Sequence, residues 1–232
     1  MLFLDPSYLI YMAPAFILML LVQWYVRSTY TKWSSVPARS RLRGSDAAER
    51  LIRSGGLYNV SIEQIQGNLN DHYDPRSKVL RLSTGVYQGQ SVAALAVTAH
   101  ELGHAMQDQE NYFPLRLRSL LVPTVNIGSY LGWIFILIGL IIGWTGLAWL
   151  GVIVFSGGAV FALATLPVEL NASTRAKQLL AQTGIILGEE EQRGVNAVLN
   201  AAALTYIAAL VTALMQLLYY VTLVLGMGRR RR

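Results

Sequence analysis

The segment from Arg118 to Glu169 reads RSLLVPTVNIGSYLGWIFILIGLIIGWTGLAWLGVIVFSGGAVFALATLPVE, with no charged residue between its two ends. A helix crosses a bilayer in about 20 apolar residues, so the stretch is long enough for two spans. They are expected near Val125–Ile142 and Leu147–Leu166, with Gly143-Trp144-Thr145-Gly146 as a tight turn between them. A hairpin of two spans returns the chain to the side it left. The polar segments on either side of it therefore face one compartment, and residues far apart in sequence can meet at one membrane face.

Two further uncharged gaps lie outside this one, from Asp5 to Arg27 and from Arg193 to Arg229. Each holds one span, near Leu9–Val26 and Leu204–Leu225, the second continuing a helix that starts near Glu189. The first lacks the basic start of a secretory signal and its apolar run is too long for one, so it reads as a retained anchor with Pro14 as a kink. The expected organisation is a transmembrane anchor at 1–26, a polar region at 27–119, a two-helix transmembrane hairpin at 120–166, a polar segment at 167–203, and a last transmembrane helix with a basic tail at 204–232.

Composition agrees with this. Of 232 residues, 53% are hydrophobic and 14% charged, against about 25% charged in a soluble domain. That excludes a disordered tail, an ordinary soluble enzyme and a nucleic-acid binder. No cysteine is present, so there is no disulfide and no thiolate metal ligand. The net charge of +6 reads as topology. Fifteen of the 19 Lys and Arg fall in the two polar regions, with Arg27, Lys32, Arg39, Arg41 and Arg43 directly after the first span. The positive-inside rule places this side in the cytoplasm. Four spans put Arg229–Arg232 on the opposite side, but the larger and nearer cluster decides the orientation.

Within the first polar region, Ser45 and Asp46 are expected to cap a short helix ending at Gly55–Gly56. Val60 and Ile62 alternate as in a strand. Asp74–Pro75 signals a turn, and Leu80 and Leu82 alternate with polar neighbours after it, which predicts a β-hairpin. Ser91 to Gln109 predicts a helix.

That helix carries the chemistry. It contains His100-Glu101-Leu102-Gly103-His104, and residues four apart lie on one helix face, so both imidazoles can reach one metal ion. Nitrogen and oxygen donors with one position left for water suit zinc, one per chain. Glu101, beside the first ligand, is placed to act as general base toward a zinc-activated water. Candidates for the third ligand are His72, Asp108, Glu110, Glu169 and the run Glu189–Glu191. Asp108 and Glu110 sit poorly for the His100/His104 face, and Glu189–Glu191 reads as a solvated first helical turn. Glu169 ends the fifty-residue uncharged run, where a carboxylate is costly without a partner, and the hairpin returns it to the side of the motif. It is the expected ligand; the alternative pairs it with Arg175 or Lys177. His72 or Tyr73 on the hairpin could stabilise an oxyanion, and Lys78–Ser83 is the strand along which a peptide would lie.

The motif His100-Glu101-Leu-Gly-His104, the upstream Asp71-His72-Tyr73-Asp74-Pro75 with Arg81-Leu82-Ser83, and the downstream Leu166-Pro167-Val168-Glu169 resemble the YugP-type membrane proteases. These are the bacterial neutral zinc metallopeptidases called zinc peptidase family 2. The similarity runs over nearly the whole chain. It implies a multi-pass protein of the bacterial plasma membrane with zinc and peptidase activity. The chain is also broadly similar to the HtpX-type membrane proteases, which use a Glu-x-x-x-Asp motif; here Ser173 stands four after Glu169. The supporting carboxylate is absent, and Asn171 is expected to replace it by hydrogen-bonding a ligand histidine.

The fold class expected is thus a mainly α membrane protein with about four transmembrane helices and a small zincin-like α+β catalytic region. The function expected is zinc-dependent hydrolysis of peptide bonds in membrane proteins or unfolded segments at the membrane surface, as in protein quality control. The partners are the bilayer and a peptide substrate, not nucleic acid, and the small catalytic region suits a homo-oligomer or a protease–scaffold complex. The alternative is a catalytically silent zinc-stabilised scaffold or assembly factor. An intramembrane protease fits poorly, because only about nine apolar residues, Ser91 to Ala99, precede His100.

Overall fold

The computed structural model describes residues 6–229. Arg230–Arg232 of the expected basic tail, and Asp5, lie outside the described residues. The chain is mostly helical, with elements in the order α1 (Pro6–Ser34), α2 (Gly44–Ser54), β1 (Ser61–Ile65), β2 (His72–Asp74), β3 (Val79–Ser83), α3 (Thr84–Tyr87), α4 (Val92–Gln109), α5 (Phe113–Ile142), α6 (Thr145–Phe155), α7 (Gly157–Thr183) and α8 (Gly188–Arg229). Among the described residues, four helical stretches are long and apolar enough to cross a membrane: Pro6–Ser34, Phe113–Ile142, Thr145–Thr183 and Gly188–Met227. All four extend beyond the expected spans, because the helices continue into polar sequence where charge patterning alone sets no end. The turn after α5 is shorter than expected: Gly143 takes φ +71 and α6 already begins at Thr145. The third stretch is interrupted at Ser156, just before Gly157 and Gly158, a sequence that weakens helix continuity.

The chain forms two compact units. One comprises the residues up to Val22, Arg116–Pro167, and Thr205 onward. Its core is Ile136, Ala148, Val152, Tyr219, Tyr220 and Val224. Phe155 meets Tyr220 edge to face at 4.9 Å, the arrangement that aromatic quadrupoles favour. Helices α5 and α6 approach closely through small residues. A Cβ on Gly132 would lie 2.6 Å from the Phe155 nitrogen, and one on Gly151 would lie 2.6 Å from the Gly132 oxygen.

The other unit comprises Gln23–Leu115 and Val168–Leu204. Leu51, Leu57, Leu80, Leu82, Leu95, Leu102, Leu179 and Ile185 are buried in its core. Helix α2 ends before Gly55 and Gly56, the latter at φ +67, as expected. Its cap is Arg43, not Ser45 or Asp46. Asp46 lies in the first turn and reaches back to accept the Arg43 N–H at 3.1 Å, which satisfies the cap residue's own backbone donor from inside the helix.

The sheet has the strand order β1-β3-β2. The expected hairpin is β2–β3, antiparallel, with Tyr73 opposite Leu80. Asp74 builds its turn by accepting the Arg76 N–H at 3.0 Å and the Ser77 hydroxyl at 2.7 Å. Strand β1 lies parallel on the far side of β3. This corrects the expected peptide-binding strand: residues 79–83 form the middle strand, paired on both sides, so only β1 and β2 have a free edge. Helix α4 follows, capped by Ser91, whose side chain accepts the Ala94 N–H at 3.2 Å. The expected solvated run Glu189–Glu191 holds for Glu189 and Glu190, which are exposed, and is corrected at Glu191. Glu191 is 3% exposed and accepts N–H groups from Arg39 at 2.6 Å and Leu187 at 2.7 Å, so it ties the chain before α2 to the start of α8.

Candidate metal centre

Every residue of the centre lies in the second unit. His100 and His104 stand one helical turn apart on α4, their rings 5.0 Å apart and nearly perpendicular. Glu169 on α7 is 2% exposed. Its Oε2 lies 3.3 Å from His100 Nε2 and 3.4 Å from His104 Nε2. The three ligand atoms lie within 4.8 Å of one another.

One glycine permits this convergence. A Cβ on Gly103 would collide with the Ala172 carbonyl oxygen of α7 and would lie 3.0 Å from its carbon. Without that collision α7 approaches α4 backbone to backbone, so the short Glu169 side chain reaches both imidazoles.

Each imidazole is oriented from its other nitrogen. His104 Nδ1 lies 3.0 Å from Gln107 Oε1, and His100 Nδ1 lies 3.2 Å from the Ser173 hydroxyl. Asn171 was expected to touch a ligand histidine and does not. It accepts from Gln107 Nε2 at 2.9 Å and from Arg175 Nε at 2.7 Å, one step further out. Ser173, at the position where a carboxylate was noted as missing, makes the direct contact to His100. The cations expected to compete for Glu169 are engaged elsewhere: Arg175 with Glu110 at 2.6 Å, and Lys177 with Asn200 at 3.1 Å.

Glu101 is half-buried, and its Oε2 accepts the Tyr73 N–H of β2 at 3.1 Å. Burial pushes its carboxyl up; the two imidazoles oppose this, and nearby Glu169 and Asp71 add to it. For His104, burial opposes protonation, but the hydrogen bond to Glu169 and the charge of Glu101 outweigh it, so its pKa is raised.

The expected oxyanion residues make their side-chain contacts with other partners. The Tyr73 hydroxyl donates to Asp108 Oδ2 at 2.7 Å, and burial together with that bond raises its pKa. Asp108 also pairs with Lys78. His72 is exposed, with Nδ1 2.8 Å from the Asn70 carbonyl. Sequence reasoning overlooked Gln107 and Ser173 as supports. Their signal was spacing: Gln107 stands three residues after His104 and Ser173 four after Glu169, each on the face of its ligand.

The donor set fits zinc. Two neutral imidazoles and a carboxylate offer nitrogen and oxygen donors, and each ring is anchored through the nitrogen that does not face the others.

Comparison with known proteins gives the same class. The family described as "Putative neutral zinc metallopeptidase" matches residues 8–225. The chain is 46% identical over 204 residues to a Bacillus subtilis (strain 168) protein named "Putative membrane protease YugP", covering 88% of this chain and 90% of that one. No solved structure matches. The chain belongs to this family of zinc metallopeptidases.

Proposed function

We propose that the chain is a membrane-embedded zinc endopeptidase with a gluzincin-like centre, in a zincin-like region formed by β1–β3 and α4. The observation that carries this reading is the convergence of the two imidazole Nε2 atoms on one oxygen of the buried Glu169, with Glu101 on the same helix. His100 Nε2, His104 Nε2 and the Glu169 carboxylate would hold one zinc ion. When bound, zinc supplies a Lewis acid that lowers the pKa of a water toward about 7 and polarises a carbonyl.

Glu101 acts as the base. Its Oε2 is held by the Tyr73 amide, which leaves Oε1 to take a proton from the attacking water and return it to the leaving amine. A raised carboxyl pKa suits both halves of that task. The substrate lies extended along the outer edge of β2, since β3 has no free edge; main-chain pairing makes sequence selectivity weak. Of the two oxyanion candidates, the Tyr73 phenol is committed to Asp108, so His72 is the one with a free ring nitrogen. Its Nδ1–H donates to Asn70, so His72 offers a proton from Nε2 only as the imidazolium.

The basic cluster from Arg27 to Arg43 supports a cytoplasmic catalytic region in a bacterial plasma membrane. Substrates would be membrane proteins or their unfolded segments, as in quality control. Zinc content of detergent-purified protein tests the reading. About one zinc per chain, lost in Glu169→Ala, is the expected result. Full zinc in that variant moves the third-ligand assignment elsewhere, and no zinc in the wild type after metal is added back favours a scaffold.

A further inference from the structure

We propose that Gln107 fixes the metal-binding form of His104, and that Asn171 and Arg175 are positioning residues that hold Gln107 in that role. The inference rests on the zinc reading above, but part of its test does not.

Hydrogen-bond inventory carries the argument. The Gln107 side chain is 0% exposed, so its polar atoms need protein partners. Its Nε2 has two protons and two acceptors: the Val168 carbonyl at 2.8 Å and Asn171 Oδ1 at 2.9 Å. Val168 O is a backbone carbonyl and can only accept. The NH2 end must therefore face α7, and Oε1 must face His104 Nδ1 at 3.0 Å. Without a metal the Glu169 carboxylate competes for a proton on the other ring nitrogen. Oε1 can only accept, so once a metal engages Glu169 the proton of neutral His104 sits on Nδ1 and Nε2 keeps its lone pair. That is the nitrogen aimed at Glu169.

The orientation is locked further out. Asn171 Oδ1 also accepts from Arg175 Nε at 2.7 Å. The Arg175 guanidinium is held by both Glu110 oxygens, at 2.6 and 2.7 Å, and lies 5.9 Å from the centre of the Tyr112 ring. Turning the Gln107 amide over would set its carbonyl against Val168 O and Asn171 Oδ1. Turning Asn171 to relieve that would set its NH2 against the Arg175 N–H. A half-exposed ion pair thus reaches a metal ligand through three hydrogen bonds in series. His100 has no such device. Its Nδ1 meets only the Ser173 hydroxyl, which can rotate to donate or accept, so Ser173 imposes no tautomer.

The tautomer test uses the full chain carrying Glu169→Ala, so that no carboxylate faces His104 Nε2, in detergent with 15N-labelled histidine and no metal, at a pH where the imidazoles are neutral. The chain has three histidines, so the ring signals can be assigned by single substitutions. His104 is expected to carry its proton on Nδ1 in that variant, and added Gln107→Leu to remove the preference. In a chelator competition, Gln107→Leu should weaken zinc binding about 10- to 100-fold, the usual cost of removing such a support. Asn171→Leu should weaken it less, Asn171→Asp should keep wild-type affinity because an acceptor remains, and Ser173→Ala should change it by no more than about 3-fold, short of that range. A folded Gln107→Leu that leaves the tautomer unchanged in the Glu169→Ala background and the zinc affinity unchanged in the otherwise wild-type chain overturns the inference. If Gln107→Leu does not fold, Asn171→Leu beside Asn171→Asp decides: equal affinity in the two overturns it. A wild type that binds no zinc defeats the zinc reading instead, and the tautomer of His104 in the metal-free Glu169→Ala protein, with and without Gln107→Leu, still decides the role of Gln107.

Discussion

Two glycine contacts, one in each unit, use the same device for different ends. In the apolar unit Gly132 lets α5 and α6 close to backbone contact, with aromatic and aliphatic side chains around it: Ile136, Val152, Phe155 and Tyr220. In the polar unit Gly103 does the same between α4 and α7, but the groups gathered around it are His100, His104, Gln107, Glu169 and Ser173. The first contact contributes packing alone. The second sets the distance between donor atoms. Close helix approach is therefore a stability device in one unit and a condition for chemistry in the other.

The largest expected effect separates the chemistry from the binding. Glu101→Gln should retain zinc and lose about 10²- to 10⁴-fold in peptide hydrolysis, the usual range for a general base. Turnover and zinc content measured on one preparation check this. Zinc retained with undiminished hydrolysis would remove Glu101 from the mechanism.

Next comes a direct test of the two glycines. Gly103→Ala and Gly132→Ala each force a methyl against backbone, and each should cost about 1–3 kcal/mol of stability, seen as a lower thermal midpoint. Only Gly103→Ala should also weaken zinc binding, by 10-fold or more, on the scale of losing a support of the metal site. Equal loss of zinc in both variants would break the comparison, because packing in the apolar unit would then control the donor geometry too.

The same contrast explains what could be read from the sequence. Spans announce themselves by the absence of charge, and the two histidines by a spacing that helix geometry imposes. Glu169 was legible because a carboxylate at the end of an apolar run needs a reason. The hairpin was legible from Asp74–Pro75, and the structure adds why its flanking residues belong together: Asp71 accepts the Ser83 N–H at 2.7 Å, and Asp74 accepts from Arg81 at 2.9 Å. Strand order was not legible. β1 pairs in parallel with β3, passing over its sequence neighbour β2, and nothing local in Ser61–Ile65 encodes its partner. Nor were the supports of the metal site. Glutamine, serine and asparagine on a helix ordinarily face water, and what makes Gln107 a support is a backbone carbonyl 61 residues away. Glu191 misled for the same reason: its position in a first turn fitted the helix dipole, while one of its two partners, the Arg39 N–H, comes from a distant segment.

The smallest expected effect concerns the surface of the hairpin and sharpens the contrast between exposed and buried polar groups. Asp74 accepts from the Ser77 hydroxyl, the Arg81 guanidinium and the Arg76 amide, which hold its carboxyl well below the ordinary range. The folded state therefore binds this proton more weakly than the unfolded chain does. The contribution of Asp74 to stability is complete above the ordinary carboxyl pKa of about 4 and is lost as the pH falls below it. Asp74→Asn should lower the thermal midpoint of the metal-free protein only slightly at pH 7, because solvent screens an exposed pair. The gap to the wild type should narrow as the pH drops through about 4 and toward 3. No gap at any pH would mean that Asp74 acts through the shape of its turn, since asparagine keeps the shape and loses only the charge.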